Sequence, residues 1–437
     1  MITRLSIEGY KSLKRVEVRG LKKLVLLYGP NATGKSNLLD ALDLLGHLAR
    51  EDTLAAAFQK HRGNRLGRPL PVRWFFYGAD DANGAMSRRI SFSVDIDLHH
   101  PIRNVLNEEL KARERSQELQ RAYTRVTRSQ LRYELDLEYR PAHRVLEVVR
   151  EALTPLNQKG EERAGEVPFI KMEPRGHRVS VKLERQAHPR LFALPRQRTL
   201  LSELGDLVNH PHLVAVAREL ASIRVYYVEP TRMRGEVSDV RAEDPGPHGE
   251  ALASFYYWLE KNHEVRYRNL VHNLSALVPG LKSIDVVEGS EGFLELWVEE
   301  ERRGRFHAAM VSEGTLRLLC LLGIAATPQP PAIVGYEEPE NGVNPARLAE
   351  VRTIFQQAAS RAEASQFFMT THSTEVLDLF EGVENVVRLR SEQDANGSHY
   401  LAEDELPLFT RVERSASLRG SPSRKGLGTR VARGDLG

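Results

Sequence analysis

Residues 29–36 read Gly-Pro-Asn-Ala-Thr-Gly-Lys-Ser, and this loop of the form GxxxxGK[ST] constrains the surrounding fold more than any other stretch. A loop of this pattern works only between a buried strand and the start of a helix. Both neighbours are legible. Leu24-Val25-Leu26-Leu27-Tyr28 is a short continuous apolar run, as in a strand buried on both faces. Beyond Lys35, Leu38, Leu39, Leu42, Leu45 and Leu48 fall on one helical face. The glycines let successive backbone N–H groups turn inward around phosphate oxygens. Lys35 can reach the β- and γ-phosphates of a nucleotide, and the Ser36 hydroxyl can ligate Mg²⁺. The helix that follows aims its partial positive charge at the same anion.

A second apolar run, Ala332-Ile333-Val334-Gly335-Tyr336, ends in Glu337-Glu338-Pro339-Glu340. Carboxylates at the end of such a strand lie where a parallel sheet holds a nucleotide. The first can serve a metal shell, and the second can orient or deprotonate an attacking water. Acidic pairs at strand ends are more often simply solvated, so this signal draws its weight from the loop upstream. A third strand-like run, Gln366 to Thr370, leads into Thr371-His372-Ser373. His372 can face a γ-phosphate or the attacking water; a hydrogen-bonded histidine at a strand end is the plainer alternative.

Composition sets bounds around these motifs. The chain has 437 residues, 41% hydrophobic and 28% charged, with net charge +3, an ordinary balance for a soluble globular protein of one elaborate domain or two. Cys320, the only cysteine, lies in the run Leu318 to Leu322 and reads as a core residue, which excludes a disulfide framework or a cysteine metal site. No secretory signal opens the chain, and no apolar run approaches the roughly 18 residues of a membrane helix, so a cytoplasmic location is expected. The segment from Arg411 carries Arg414, Arg419, Arg424, Lys425, Arg430 and Arg433 against Glu413 and Asp435. Its Ser and Gly content predicts a basic disordered tail over 411–437.

Along the chain, Ile2 to Ile7 predicts a strand, Glu8-Gly9 a turn, and the stretch through Val16 and Val18 a second strand. Ile90 to Leu98 and Leu131 to Tyr139 alternate as half-buried strands, with a charged helix from Pro101 to Arg128 between them. Glu151 to Gly176 reads as a loop or mobile link. Helical spacing returns over Thr199–Ile223 and Gly249–Leu277, followed by strand-like runs at Ile284–Val287 and Phe293–Val298. Two basic clusters stand out. The charged helix includes Arg103, Lys111, Arg113, Arg115, Arg121, Arg125, Arg128 and Arg132. A second group comprises Lys171, Arg175, Arg178, Lys182, Arg185, Arg190, Arg196 and Arg198. Such clusters can neutralise the phosphates of double-stranded DNA, although charge runs are usually solvated faces or docking surfaces.

Taken together, the motifs resemble the ABC-type ATPases of the RecF/SMC/OLD-like group, and among them the predicted single-chain AAA ATPases of bacterial defence loci. The likeness is tight over about residues 1–45 and 305–390. Met310-Val311-Ser312-Glu313-Gly314-Thr315-Leu316-Arg317 looks like the family's signature, Glu337 to Pro345 like its Walker B and D-loop stretch, and Thr370 to Ser373 like its switch histidine. Ile7 to Leu13 matches the opening of the RecF-like branch. The resemblance implies an α/β fold: an ABC-type P-loop NTPase head with a mixed, mainly parallel central sheet, an antiparallel β subdomain and a helical, charged insertion. It implies ATP and Mg²⁺ as cofactors, bound by Gly29, Asn31, Thr33, Gly34, Lys35 and Ser36, with Ser36 and Glu337 at the metal. Glu338 and His372 would be catalytic. Ser312 and Gly314 would contact ATP held by a second subunit, which implies a homodimer or higher homo-oligomer with composite sites. Glu337 departs from the usual Asp, which makes slow turnover an option; Glu313 replaces a signature glycine; and Gln59 is a weak candidate for the Q-loop.

The expected domain spans are 1–98 and 301–400 for the two halves of the ATPase, 99–300 for the insertion and helical region, and 411–437 for the tail. Three functions remain open: a dimerising ATPase acting with nucleic acid or a separate nuclease or effector in phage defence or DNA repair, a transporter's nucleotide-binding subunit, and a slow ATP-dependent regulatory switch. The RecF-like opening and the charged insertion favour the first, and no membrane contact is expected. OLD-type enzymes add a Toprim domain after the histidine strand, whereas about 65 residues follow His372. The acids there (Glu392, Asp394, Glu403, Asp404, Glu405) read as a solvated loop, so a nuclease within the chain is not expected.

Overall fold

The computed structural model describes residues 1–61, 70–79, 86–115, 125–163, 165–175, 178–184, 186, 188–193, 196–235, 237, 242–278, 280–289, 292–302, 304–360, 365–380, 385–394 and 397–403. Two compact units are present, Met1–Ile223 with Asn385–Leu406, and one built on Arg224–Glu384.

The first unit opens with β1 (Ile2–Tyr10), β2 (Leu13–Arg19), β3 (Leu24–Tyr28), α1 (Lys35–Arg50) and α2 (Leu54–Lys60). The predicted turn at Glu8-Gly9 lies instead at Lys11-Ser12: Glu8 and Tyr10 still pair with Arg15 and Leu13 across the hairpin. Next come β4 (Arg89–Asp97), α3 (His100–Arg115), β5 (Gln130–Arg140), β6 (Val145–Pro155), β7 (Ile170–Arg175), β8 (Arg178–Leu183), β9 (Arg190–Ala193), α4 (Leu200–Glu203) and α5 (Pro211–Ala221). Eight of these strands form one antiparallel sheet in the order β2-β1-β4-β5-β6-β7-β8-β9. The stretch read as a mobile link therefore contains the end of β6 and all of β7. Only its middle has the Gly/Glu/Lys composition of a loop, and Leu153, Ile170 and Met172 go into the core. The helical reading of Thr199–Ile223 divides into α4 and α5, because Pro211 can open a helix but cannot continue one.

Alternation explains the sheet. Ile90, Phe92, Val94 and Ile96 on β4 and Leu131, Tyr133, Leu135 and Leu137 on β5 are buried on one face. Charges on the opposite face are largely paired across strands. Arg132 grips Asp95 with two bonds of 2.6 and 2.8 Å, Arg4 meets Glu17 at 2.7 Å, and Arg150 meets Glu134 at 2.9 Å. The buried Glu151 accepts N–H bonds from Leu200 (2.7 Å) and Leu201 (3.2 Å) at the start of α4 and a hydroxyl bond from Tyr133 (2.9 Å). Burial nevertheless pushes its carboxyl up to about 7.

The second unit contains β10 (Arg224–Tyr226), α6 (Pro230–Met233), α7 (Leu252–Asn262), α8 (Glu264–Leu277), β11 (Leu281–Glu288), β12 (Leu294–Glu300), β13 (Gly304–His307), α9 (Glu313–Ala326), β14 (Ile333–Glu337), α10 (Leu348–Ser360), β15 (Gln366–Thr371) and α11 (Thr374–Leu379). Here β10, β14 and β15 run parallel, and β11, β12 and β13 form an antiparallel meander. β14 and β15 are nearly continuous buried apolar runs, as strands covered on both faces must be. Cys320 is fully buried on α9, as its apolar neighbours predicted.

The chain then returns to the first unit. β16 (Asn385–Asp394) pairs in parallel with β3, and β17 (Gly397–Glu403) pairs antiparallel with β16. Glu392, Asp394 and Glu403 thus lie in strands rather than in a loop; the far part of β16, Arg390 to Asp394, has no apolar residue to mark it as strand. Asp404, Glu405 and the 411–437 tail lie outside the described residues, as do Arg121 and Arg185. The span 99–300 is shared between the units: β5–β9 complete the sheet begun by β1 and β4, while β10 to β12 belong to the second unit. No helix among the described residues is long and apolar enough to cross a membrane.

Candidate functional site

The phosphate-binding half lies in the first unit, at the C-terminal end of β3. Gly34 caps α1 in the left-handed region (φ 88°), and Ala32 is left-handed too (φ 65°), so the loop curls tightly before the helix. A Cβ on Gly29 would stand 2.6 Å from the Leu389 carbonyl oxygen and 2.8 Å from Thr33 Oγ1, so only glycine fits where the loop leaves the strand. Thr33 Oγ1 donates to the Pro30 carbonyl (2.8 Å), bracing the loop. Lys35 Nζ folds back to donate to the carbonyls of Gly29 (2.7 Å) and Pro30 (2.9 Å). Asn31 is exposed, Lys35 is buried and Ser36 is half-buried at the first turn of the helix. This curl of backbone N–H groups, a lysine and a hydroxyl at a helix start suits a nucleotide triphosphate with its Mg²⁺. Behind it, Lys11 pairs with the buried Asp40 and lies over the Tyr10 and Phe75 rings at 5.4 and 5.2 Å.

The acidic half lies in the second unit. β14 ends at Glu337, which is paired in register with Thr370 on β15. Glu338 takes a left-handed conformation (φ 46°) immediately before Pro339, a strain of order 1–3 kcal/mol for a residue with a side chain. The surroundings hold it there: its N–H meets both the carbonyl and the Oγ1 of Thr370, each at 3.2 Å. Its Oε1 lies 3.1 Å from His372 Nδ1, and its Oε2 accepts from Asn341 Nδ2 at 2.6 Å. The two residues expected to be catalytic are thus in direct hydrogen-bond contact. Glu340 lies 3.9 Å from the same His372 nitrogen and accepts from Thr371 Oγ1 at 2.6 Å. Burial raises the Glu340 carboxyl above the usual range, and the nearby charge of Glu338 adds to it.

Ser312 caps the N-terminus of α9, its Oγ accepting from Thr315 N at 3.3 Å and sharing a 2.8 Å bond with Thr315 Oγ1. Ser312 and Glu313 are exposed, so this helix start faces solvent. Gly314 packs against the backbone of Gly342 in the turn that follows Glu338; a Cβ there would collide with the Gly342 carbonyl oxygen. Sequence reasoning missed Arg234. Its guanidinium donates to the carbonyls of Ala309 (2.7 Å) and Val311 (3.0 Å), gripping the backbone on either side of Met310, which is 77% exposed. A single arginine some 75 positions away carries no pattern that could have announced this. Asn341 was visible in the acidic motif but had no assigned role. Gln59 lies exposed on α2. Among the described residues no group of three or more His, Cys, Asp or Glu could hold a metal by themselves.

Known proteins share one stretch of this sequence and its fold. Three RecF proteins of Acinetobacter baumannii strains, each a "DNA replication and repair protein", are 33% identical over 81 residues, 18% of this chain and 18% of each of theirs. Among solved structures, an Smc head bound to the C-terminal winged-helix domain of ScpA aligns with TM-score 0.53 at 14% identity, covering 94% of this chain and 99% of that one. An Smc head with an extended coiled coil bound to a ScpA C-terminal domain, derived from Pyrococcus furiosus, aligns with TM-score 0.51 at 12% identity, covering 95% and 99%. The fold is therefore the mixed α/β head of SMC- and RecF-like ABC ATPases, with parallel and antiparallel sheets. Residues 24–117 and 183–378, more than half of the chain and the span of every site residue expected from the sequence, match one family model, and the chain belongs to that family, AAA_21 (AAA domain, putative AbiEii toxin, type IV TA system), as an ABC-type P-loop ATPase related to RecF and SMC.

Proposed function

We propose that this protein binds ATP with Mg²⁺, dimerises around it, and hydrolyses it in composite sites to gate an effector- or nucleic-acid-associated process. The observation that carries this reading is the Glu338–His372 pair at the ends of adjacent parallel strands, beside a turn in contact with an exposed, Ser312-capped helix start. Bound Mg²⁺ would neutralise charge building on the phosphates, and Ser36 and Glu337 are the residues to hold it. Lys35 would exchange its bonds to the loop carbonyls for the β- and γ-phosphates. Glu338 would take a proton from water as the water oxygen bonds to the γ-phosphorus and the β–γ bridge breaks, releasing ADP and phosphate. His372, donating to Glu338, keeps that carboxylate in place. Ser312 and the N–H groups of Glu313 and Gly314 supply donors for the γ-phosphate of a partner's ATP.

The family description associates the fold with a toxin–antitoxin system, and the RecF relatives with DNA replication and repair. Both favour a cytoplasmic effector-linked or DNA-linked role over a transporter subunit. One surface favours DNA. On the exposed face of β7–β8, Lys171 stands opposite Lys182 and Arg175 opposite Arg178, an arrangement of like charges that costs stability unless an anion offsets it; Glu173 on the same strand pairs with Lys171. In the other cluster three of the eight cations are already paired, Lys111 with Glu108, Arg128 with Glu166 and Arg132 with Asp95.

Direct ATP titration, turnover and light scattering on Lys35→Ala and Glu338→Gln test the main reading. Lys35→Ala should lose tight ATP binding. Glu338→Gln should keep it, lose about 10²–10⁴-fold in turnover, and accumulate as an ATP-linked dimer. Normal turnover in Glu338→Gln, or a monomer at saturating ATP in that background, refutes the composite-site ATPase.

A further inference from the structure

We infer that Asn341 is a positioning residue for hydrolysis, fixing the plane of the Glu338 carboxylate and tying it to the helix start at Ser312. The inference rests on Glu338 being the base. A carboxylate at the end of a flexible side chain activates water only when one of its lone pairs is aimed, and a general base is commonly aimed by a third group. Glu338 has two such groups, one on each oxygen. His372 Nδ1 holds Oε1 at 3.1 Å and Asn341 Nδ2 holds Oε2 at 2.6 Å. Two anchors on two oxygens fix both the position and the plane of the carboxylate. Each oxygen keeps a further lone pair for water.

Asn341 is itself held rigidly. Its N–H bonds the Glu338 carbonyl at 3.1 Å, closing the turn Glu338-Pro339-Glu340-Asn341, and Val343 N–H bonds the Glu340 carbonyl at 3.1 Å. The turn starts from the left-handed Glu338 and leaves through the left-handed Gly342 (φ 69°). The Gly342 carbonyl abuts Gly314, where a Cβ has no room, and a Cβ built on Gly342 would meet the Arg317 side chain at 3.6 Å. A displacement of the α9 start therefore presses on the residue next to Asn341, so the aim of the base depends on what the helix start touches. An amide is the fitting group. It donates to the carboxylate without adding charge, whereas an Asp at 341 would set a second anion against Glu338.

A double-mutant cycle of Asn341→Ala and Glu338→Gln tests this, read by single-turnover ATP hydrolysis at saturating ATP, ATP titration and light scattering. Asn341→Ala should lower the chemical rate roughly 10–100-fold, the loss of one charge-assisted hydrogen bond. ATP affinity and the ATP-linked dimer should stay as in wild type. In the Glu338→Gln background the same substitution should cost nothing further, because its effect runs through the base. A fall in the chemical rate at unchanged ATP affinity is a split that a purely structural role would not give. Asn341→Ala turning over at the wild-type rate while Glu338→Gln is inactive overturns the positioning role alone, as does a full multiplicative loss in the double variant. Glu338→Gln turning over normally removes the base assignment and the inference with it.

Discussion

Gly314→Ala offers a sharp test of the signature assignment, because the structure gives the size of the insult. The added Cβ would come inside 3.0 Å of the Gly342 carbonyl oxygen, where real Cβ atoms are essentially never found, and the obstacle is backbone rather than a movable side chain. Ordinary contact begins at 3.4 Å, so the α9 start and the turn must separate by roughly 1 Å. Overpacking of this kind costs about 1–3 kcal/mol. The free subunit relieves that strain by displacing the α9 start; if Ser312 and the adjoining N–H groups bind a partner's ATP only from the undisplaced position, assembly must restore the strain. The ATP-linked dimer in the Glu338→Gln background should then weaken roughly 5–150-fold. The phosphate loop is untouched, so ATP binding by the single subunit should persist. Analytical ultracentrifugation across a protein concentration series at saturating ATP, beside a direct ATP titration, reads both quantities. A dimer as tight as that of the parent would show that Gly314 and its helix start take no part in assembly. Loss of ATP binding along with the dimer would point to misfolding, which thermal unfolding of the variant would reveal.

The buried Glu151 should make stability depend on pH. Its carboxyl is raised by burial from its ordinary 4.5 to about 7, so the folded protein retains a proton that the unfolded chain has released between those values. Stability from this group is fully present below pH 4.5 and is lost as pH rises to about 7, on the order of 3 kcal/mol in all. Glu151→Gln cannot titrate, so its stability relative to wild type, from urea unfolding, should rise by that amount between pH 4.5 and 7.5; a constant difference would refute the shift. For the surface on β7–β8, reversing Arg178 and Lys182 to Glu should weaken double-stranded DNA binding and lower the salt slope by about one for each phosphate no longer neutralised. DNA binding indifferent to these reversals would leave the face as a protein-docking surface.

Legibility in the sequence followed the range of the interactions. Gly29 to Ser36 between an apolar run and an amphipathic helix could be read because strand, loop and helix are contiguous and each is set by local geometry. β14 and β15 were readable for a related reason: strands buried on both faces must be apolar throughout, and their polar ends then stand out. The turn after β1 was misplaced by three residues, since Gly9 invites a turn that hairpin pairing through Tyr10 and Leu13 overrides. β7 and the β16–β17 hairpin were missed because short strands with a polar face carry little periodicity, and their pairing energy comes from partners distant in the chain. For the basic runs, the sequence counts charges but cannot see that Asp95 and Glu166 neutralise Arg132 and Arg128, nor that Lys171 faces Lys182. The sequence by itself determined the phosphate loop, the acidic and histidine strand ends, and the helix start at Ser312, because motif chemistry depends on residues that are neighbours in the chain. Only the tertiary structure decided that Asn341 and His372 hold the two oxygens of Glu338, that Gly314 rests on Gly342, and that Arg234 grips the loop before α9. Apart from the local turn that brings Asn341 to Glu338, those contacts join residues up to some 75 positions apart, and only packing brings them together.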